Sequence, residues 1–204
     1  TVNFSYDAKG NLLSGDGLTT QYTVHNKPRT LSRSGNQYTF TYGADTSRVK
    51  QVKSEGGVST TTYYLDKDYE ADSSGHWRAY IGDVALISYD GDTKHTINFG
   101  HRDRLGSATT FTDHNGAITN RRGYDPFGRP RGSTGSTLTP STQTNGDQSA
   151  TSNFDKRDKR GFTGHEHVDG AQVIHMNGRV YDYNLGRFMS IDPFVHGGSQ
   201  GLNP

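Results

Sequence analysis

Gly178-Arg179-Val180-Tyr181-Asp182-Tyr183-Asn184-Leu185-Gly186-Arg187-Phe188-Met189-Ser190-Ile191-Asp192-Pro193-Phe194 is the densest stretch of the chain. It gathers Arg179 and Arg187, Asp182 and Asp192, and the rings of Tyr181, Tyr183, Phe188 and Phe194, whereas the rest of the sequence is dilute in apolar side chains. That density predicts an ordered end-piece. Asp192-Pro193 reads locally as a turn, in which Asp accepts backbone donors and Pro fixes the next backbone angle.

Outward from that stretch, composition argues against an ordinary globule. Only 29% of the 204 residues are hydrophobic, while Gly numbers 26 and Tyr 12, so a thick aliphatic core is not available. Disorder is disfavoured too, because 11% aromatic content and a net charge of +1 are the reverse of a ring-poor, highly charged chain. Tyrosine brings a large apolar face with a hydroxyl that stays satisfied at a wet boundary, which suits a sheet with a water-facing side. The even charge balance excludes nucleic acid as the main partner. No apolar run reaches the ~20 residues of a membrane helix, and no signal-peptide pattern opens the chain. Without cysteine there is no disulfide or thiol chemistry. Thr1 at one end and Asn203-Pro204 at the other read as the ends of a fragment or processed product.

Residues 1–65 alternate in period two. Val2-Asn3-Phe4-Ser5-Tyr6, Gln21-Tyr22-Thr23-Val24, Gln37 to Tyr42 and Thr60 to Leu65 each read as a half-buried strand, with turn signals at Lys9-Gly10-Asn11, Gly15-Asp16-Gly17, Ser34-Gly35-Asn36 and Gly56-Gly57 between them. Strands continue through Trp77 to Ile81, Asp83 to Tyr89 and His95 to Phe99, and Asn115-Gly116 predicts a tight hairpin between two alternating runs. Aromatic anchors recur at Tyr6, Tyr22, Tyr42, Tyr63, Tyr89 and Phe111, which is repeat spacing. Units of that kind cannot bury their own faces and must stack on neighbours. Residues 132–160 turn Ser/Thr/Gly-rich and read as a flexible loop, with Lys156 to Arg160 as its solvated basic flank.

The quoted stretch resembles the RHS-associated core of RHS/YD-repeat proteins, whose pattern runs roughly G-R-x-Y-D-x-x-x-G-R-F-x-S-x-D-P. Four more blocks match in order: Tyr6 to Leu12, His101 to Ser107, Gly123 to Arg129, and Gly161 to His167. The resemblance implies an all-β antiparallel YD-repeat sheet spiralling into part of a cocoon, with residues 1–131 as shell wall and 161–204 as the core segment that closes it. It also implies a toxin domain enclosed in cis, a secreted or delivered bacterial effector (type VI secretion being one route), and further shell, or self-association through open sheet edges, as partners. A wall wetted on both faces, or lining a polar cavity, would need little aliphatic centre.

By the same resemblance Arg179 and Asp192 are members of an intramolecular aspartyl self-cleavage site. Its second aspartate would lie downstream in another Asp-Pro step, so the pair would be catalytic only in the full-length parent. Two carboxylates sharing one proton can activate water and protonate the leaving group, and an arginine can hold one of them ionised. Three other constellations are weaker. His165-Glu166-His167 with His175 has metal-ligand chemistry, but alternation puts Glu166 on the opposite strand face, so a hydrogen-bonded cluster is the better reading and no metal or cofactor is expected. His101-Arg102-Asp103 lacks the partners a kinase loop needs. Trp77 could stack on sugar, which would make the chain an extracellular carbohydrate-binding or adhesive module; stacking within the sheet is the simpler use.

Overall fold

In the computed structural model, residues 2–91, 95–132 and 158–192 are described. Thirteen strands form one sheet in which spatial order equals chain order: β1 (Ser5–Tyr6), β2 (Leu12–Gly15), β3 (Leu18–Tyr22), β4 (Pro28–Arg33), β5 (Asn36–Tyr42), β6 (Arg48–Glu55), β7 (Val58–Tyr64), β8 (Tyr69–Asp72), β9 (Trp77–Ile81), β10 (Ala85–Tyr89), β11 (Thr96–Arg102), β12 (Ala108–Thr112) and β13 (Ile118–Arg121). All neighbours are antiparallel. A two-stranded ribbon, β14 (Gly123–Tyr124) with β15 (Pro130–Arg131), precedes a four-stranded sheet of β16 (Glu166–Val168), β17 (Val173–Met176), β18 (Arg179–Asp182) and β19 (Arg187–Phe188). The expected all-β antiparallel fold is thus the observed one. The loop expected at 132–160 falls outside the described residues over 133–157.

One local device repeats. In Asp-x-x-Gly-x loops beginning at Asp7, Asp72, Asp103, Asp113 and Asp125, the Asp N–H donates to the fifth residue's carbonyl and the glycine N–H to the Asp carbonyl. The carboxylate Oδ1 accepts the amides of the third and fifth residues at 2.8–3.0 Å. Asp suits the position because its short carboxylate reaches back to two amides of its own loop. Glycine is required because its φ is +79° to +86°, the left-handed region. The register shifts at the residue before the loop in β1, β11 and β12, and likewise in β3 and β5, whose five-residue loops begin at Thr23 and Gly43, so a bulge turns each strand into its loop. The opposite ends of β2, β4 and β6 instead close through Asp16-Gly17, Ser34-Gly35 and Gly56-Gly57, with positive φ at both residues as a two-residue hairpin turn demands.

This corrects one sequence expectation. Asn115-Gly116 sits inside a five-residue Asp113 loop, not a two-residue turn, because the aspartate two positions earlier captures the amides. Of the recurring aromatics, Tyr63 is 49% exposed and Phe111 buried.

The wall is not wetted on both faces. Leu12, Leu18, Leu31, Tyr38 and Phe40 on its inner side pack with Val168, Ala171, Val173, Val180 and Met189 of the closing segment into one core. From β6 onward the inner side mixes apolar Tyr80, Leu86 and Phe111 with polar Gln51, Thr62, Glu70, Arg78, Ser88, Asn98 and Asn120, all buried. Burying the polar groups costs a few kcal/mol each unless they are paired, so partners decide where the closing segment sits.

Candidate functional site

Those partners are charged. Arg33 of β4 donates from Nη2 to Asp182 Oδ2 at 2.8 Å and from Nη1 to the Ala171 carbonyl at 3.2 Å, with both side chains almost fully buried. Asp182 Oδ1 accepts the amides of Asn184 (2.8 Å) and Leu185 (3.2 Å), so one carboxylate closes its own turn and an ion pair to the wall. Arg48 of β6 pairs with Glu166, its guanidinium lying 4.1 Å from the Tyr64 ring centre, and the Tyr64 hydroxyl donates to Glu166 at 3.0 Å. Burial pushes the Glu166 carboxyl up, but Arg48 and then Lys159 outweigh it, and the net is a carboxyl below the usual range. Lys159 lies 3.6 Å from Glu70, and Arg122 donates to the Asp158 and Arg160 carbonyls. The flank at 158–160 therefore packs on the wall: Asp158 is 4% exposed, and half-buried Arg160 lies over the Tyr80 ring at 3.6 Å. The inner wall supplies counter-charges that the sequence alone does not display.

The histidines belong to the same lining. Glu166 faces the wall while His167 faces Tyr124, Phe162 and Tyr183, the opposite orientations that alternation predicts. His167 Nε2 accepts the Phe162 amide at 3.1 Å, and burial holds its pKa down at about 3. His175 is also held well below its usual value by burial, with Nε2 3.4 Å from the Tyr42 hydroxyl. These are neutral, hydrogen-bonded rings, and Glu166 is committed to Arg48. Among the described residues no three His, Cys, Asp or Glu converge to hold a metal.

Arg179 and Asp192 are brought together. The first lies on β18, the second just beyond β19, and Arg179 Nη2 meets Asp192 Oδ2 at 2.8 Å. The guanidinium lies 3.7 Å from the centre of the Phe188 ring, which fixes its plane while the fork reaches outward. Unlike the Arg33 pair, this one is open: the side chains are 22% and 48% exposed. An exposed pair adds only ~0–1 kcal/mol to stability, so cohesion gives little reason for it. Arg187 stands apart on the exposed side, and Asp182, although in the same motif, is structural.

Trp77 lies on the outer side of β9 in a row of rings, 5.9 Å from Tyr69, 6.3 Å from Tyr89 and 5.2 Å from His95. Tyrosines on both sides lie near-parallel to the indole, at interplanar angles of 23° and 26°, so Trp77 stacks within the sheet.

No protein-family model and no curated protein matches the chain. Solved structures do. The chain is similar to TcdB2-TccC3 (TM-score 0.68, 15% identity, 92% of this chain and 10% of that chain) and to TcdB2-TccC3 without its hypervariable C-terminal region (TM-score 0.68, 14% identity, 92% and 9%). It is also similar to a Photorhabdus luminescens Tc holotoxin pore carrying an Asp-to-Ala substitution in TccC3 (TM-score 0.67, 14% identity, 92% and 9%). The fold is the one these toxin-complex structures share, and this chain spans about a tenth of the matched chains' length.

Proposed function

We propose that this chain is shell wall plus closing segment of a container that encloses a C-terminal toxin domain in cis, and that Arg179 and Asp192 form the built half of a self-cleavage site that frees the toxin. In this reading residues 1–131 are wall, 132–160 a loop and 161–204 the closure, in a protein that is secreted or delivered. The observation that carries it is the open Arg179–Asp192 pair, held on a segment that is otherwise anchored by buried ion pairs. Asp192, kept near a guanidinium, is suited to activate water once a second carboxylate, from outside these residues, brings the shared proton. The likeness of the fold to the toxin-complex structures supports an enclosing role.

The test is a longer chain with the residues that follow in its gene. Cleavage downstream of Asp192 is expected in wild type and is abolished by Asp192→Asn and by Arg179→Ala, with both variants folded by circular dichroism. Cleavage that persists in both removes the pair from the chemistry.

A further inference from the structure

Both members of the pair are held from a distance by a single loop of the wall. The β3–β4 loop runs from Thr23 to Lys27, closed by Thr23 N–H to the Lys27 carbonyl at 2.8 Å and Lys27 N–H to Thr23 Oγ1 at 3.2 Å. Lys27 Nζ, at the end of this loop, donates to the carbonyls of Asn177 and Gly178, both at 3.2 Å. Those carbonyls belong to the turn that delivers Arg179, where Asn177 adopts φ +55°, the left-handed region that asparagine tolerates in tight turns. On the loop's other flank, the Tyr22 hydroxyl lies 3.1 Å from the Met189 carbonyl and 3.0 Å from the Leu12 carbonyl. Leu12 N–H donates to that same Met189 carbonyl at 2.8 Å, three residues before Asp192. The contacts bridge 150 to 167 residues of sequence.

We infer that Tyr22 and Lys27 are positioning residues for the Arg179–Asp192 pair, so that self-cleavage depends on the β3–β4 stretch of wall being in place beneath it. This rests on the self-cleavage reading above. Neither residue touches the pair. Lys27 fixes the backbone on the Arg179 side and Tyr22 on the Asp192 side, and the separation between guanidinium and carboxylate follows from the two anchors together. A misplacement near 1 Å costs catalysis on the order of 100-fold, whereas loss of one part-exposed hydrogen bond costs stability only ~1 kcal/mol. Rate and stability therefore come apart.

The experiment uses the same longer chain and follows loss of the intact form with time. Lys27→Met and Tyr22→Phe are each expected to slow cleavage roughly 10- to 100-fold. Lys27→Arg should restore most of the rate, and melting temperatures should stay near wild type. Wild-type cleavage that is lost on Asp192→Asn but unchanged in rate by Lys27→Met and Tyr22→Phe overturns this inference alone. A rate loss accompanied by collapse of the melt overturns it too, since the residues would then merely hold the fold. A wild-type chain that never cleaves overturns the function on which it rests.

Discussion

Asp182→Ala should be among the most damaging single substitutions in the chain, although Asp182 lies in the same motif as the more exposed Asp192. The carboxylate is fully buried and accepts three hydrogen bonds, from Arg33 Nη2 and from the amides of Asn184 and Leu185. Truncation leaves the Arg33 guanidinium buried without its main partner, which costs ~3–5 kcal/mol. Two amides of the turn also lose their acceptor at ~1 kcal/mol each. Asp16 Oδ2, 3.6 Å from Arg33 Nη2 and 44% exposed, recovers part of this by swinging in. A net loss of about 4 kcal/mol is expected, set against a total stability of ~5–15 kcal/mol for a domain. Asp192→Ala, by contrast, removes an open pair and should cost at most ~1 kcal/mol. Urea unfolding followed by tyrosine and tryptophan fluorescence measures both. Arg33→Met combined with Asp182→Ala should recover much of the loss, because the orphaned cation is gone. If Asp182→Ala falls within ~1 kcal/mol of wild type, the closing segment is not held to the wall by desolvated charge.

Acidification should loosen the fold through its histidines. His167 titrates near 3 when folded against 6.5 in the open chain, so its contribution is complete above 6.5 and is lost as the pH falls toward 3. From pH 6.5 to 5 the loss is about 2 kcal/mol at ~1.4 kcal/mol per pH unit, with His175 adding in the same direction, and His167→Gln should flatten the slope measured by urea titration at each pH. Asp158 acts oppositely: burial raises its carboxyl, so its ionisation penalises the fold as pH rises, and Asp158→Asn should gain stability at pH 7 relative to pH 4 in the same assay. Gly170→Ala should lower the melting temperature by several degrees at a cost of ~2–3 kcal/mol, because a Cβ there would press on Tyr38, Glu55 and Asn36 of the wall. Trp77→Ala should cost ~1–3 kcal/mol through loss of its flanking rings; glycan binding that disappears on the same substitution, in a glycan array, would revive the adhesive reading.

The wall was legible because its information is local. Period-two strands, paired positive-φ turns and Asp-x-x-Gly loops each speak from within a few residues. The closure was legible as a motif but not as a set of contacts. Nothing near Arg33 or Arg48 marks them as partners of Asp182 and Glu166 about 150 and 118 positions away, and an arginine on an alternating strand looks the same whether it faces water or a carboxylate. The buried polar row from Gln51 to Asn120 was hidden for the same reason. Its burial comes from what covers it, and what covers it is written elsewhere in the chain. The Lys27 contact is harder still, because it is made to carbonyl oxygens, which every residue carries.

Thirteen strands at ~4.8 Å spacing lay out roughly 58 Å of ribbon. Among the described residues β1 and β13 are its two edges, and each offers a row of backbone N–H and C=O groups to which a further strand of the same meander could pair.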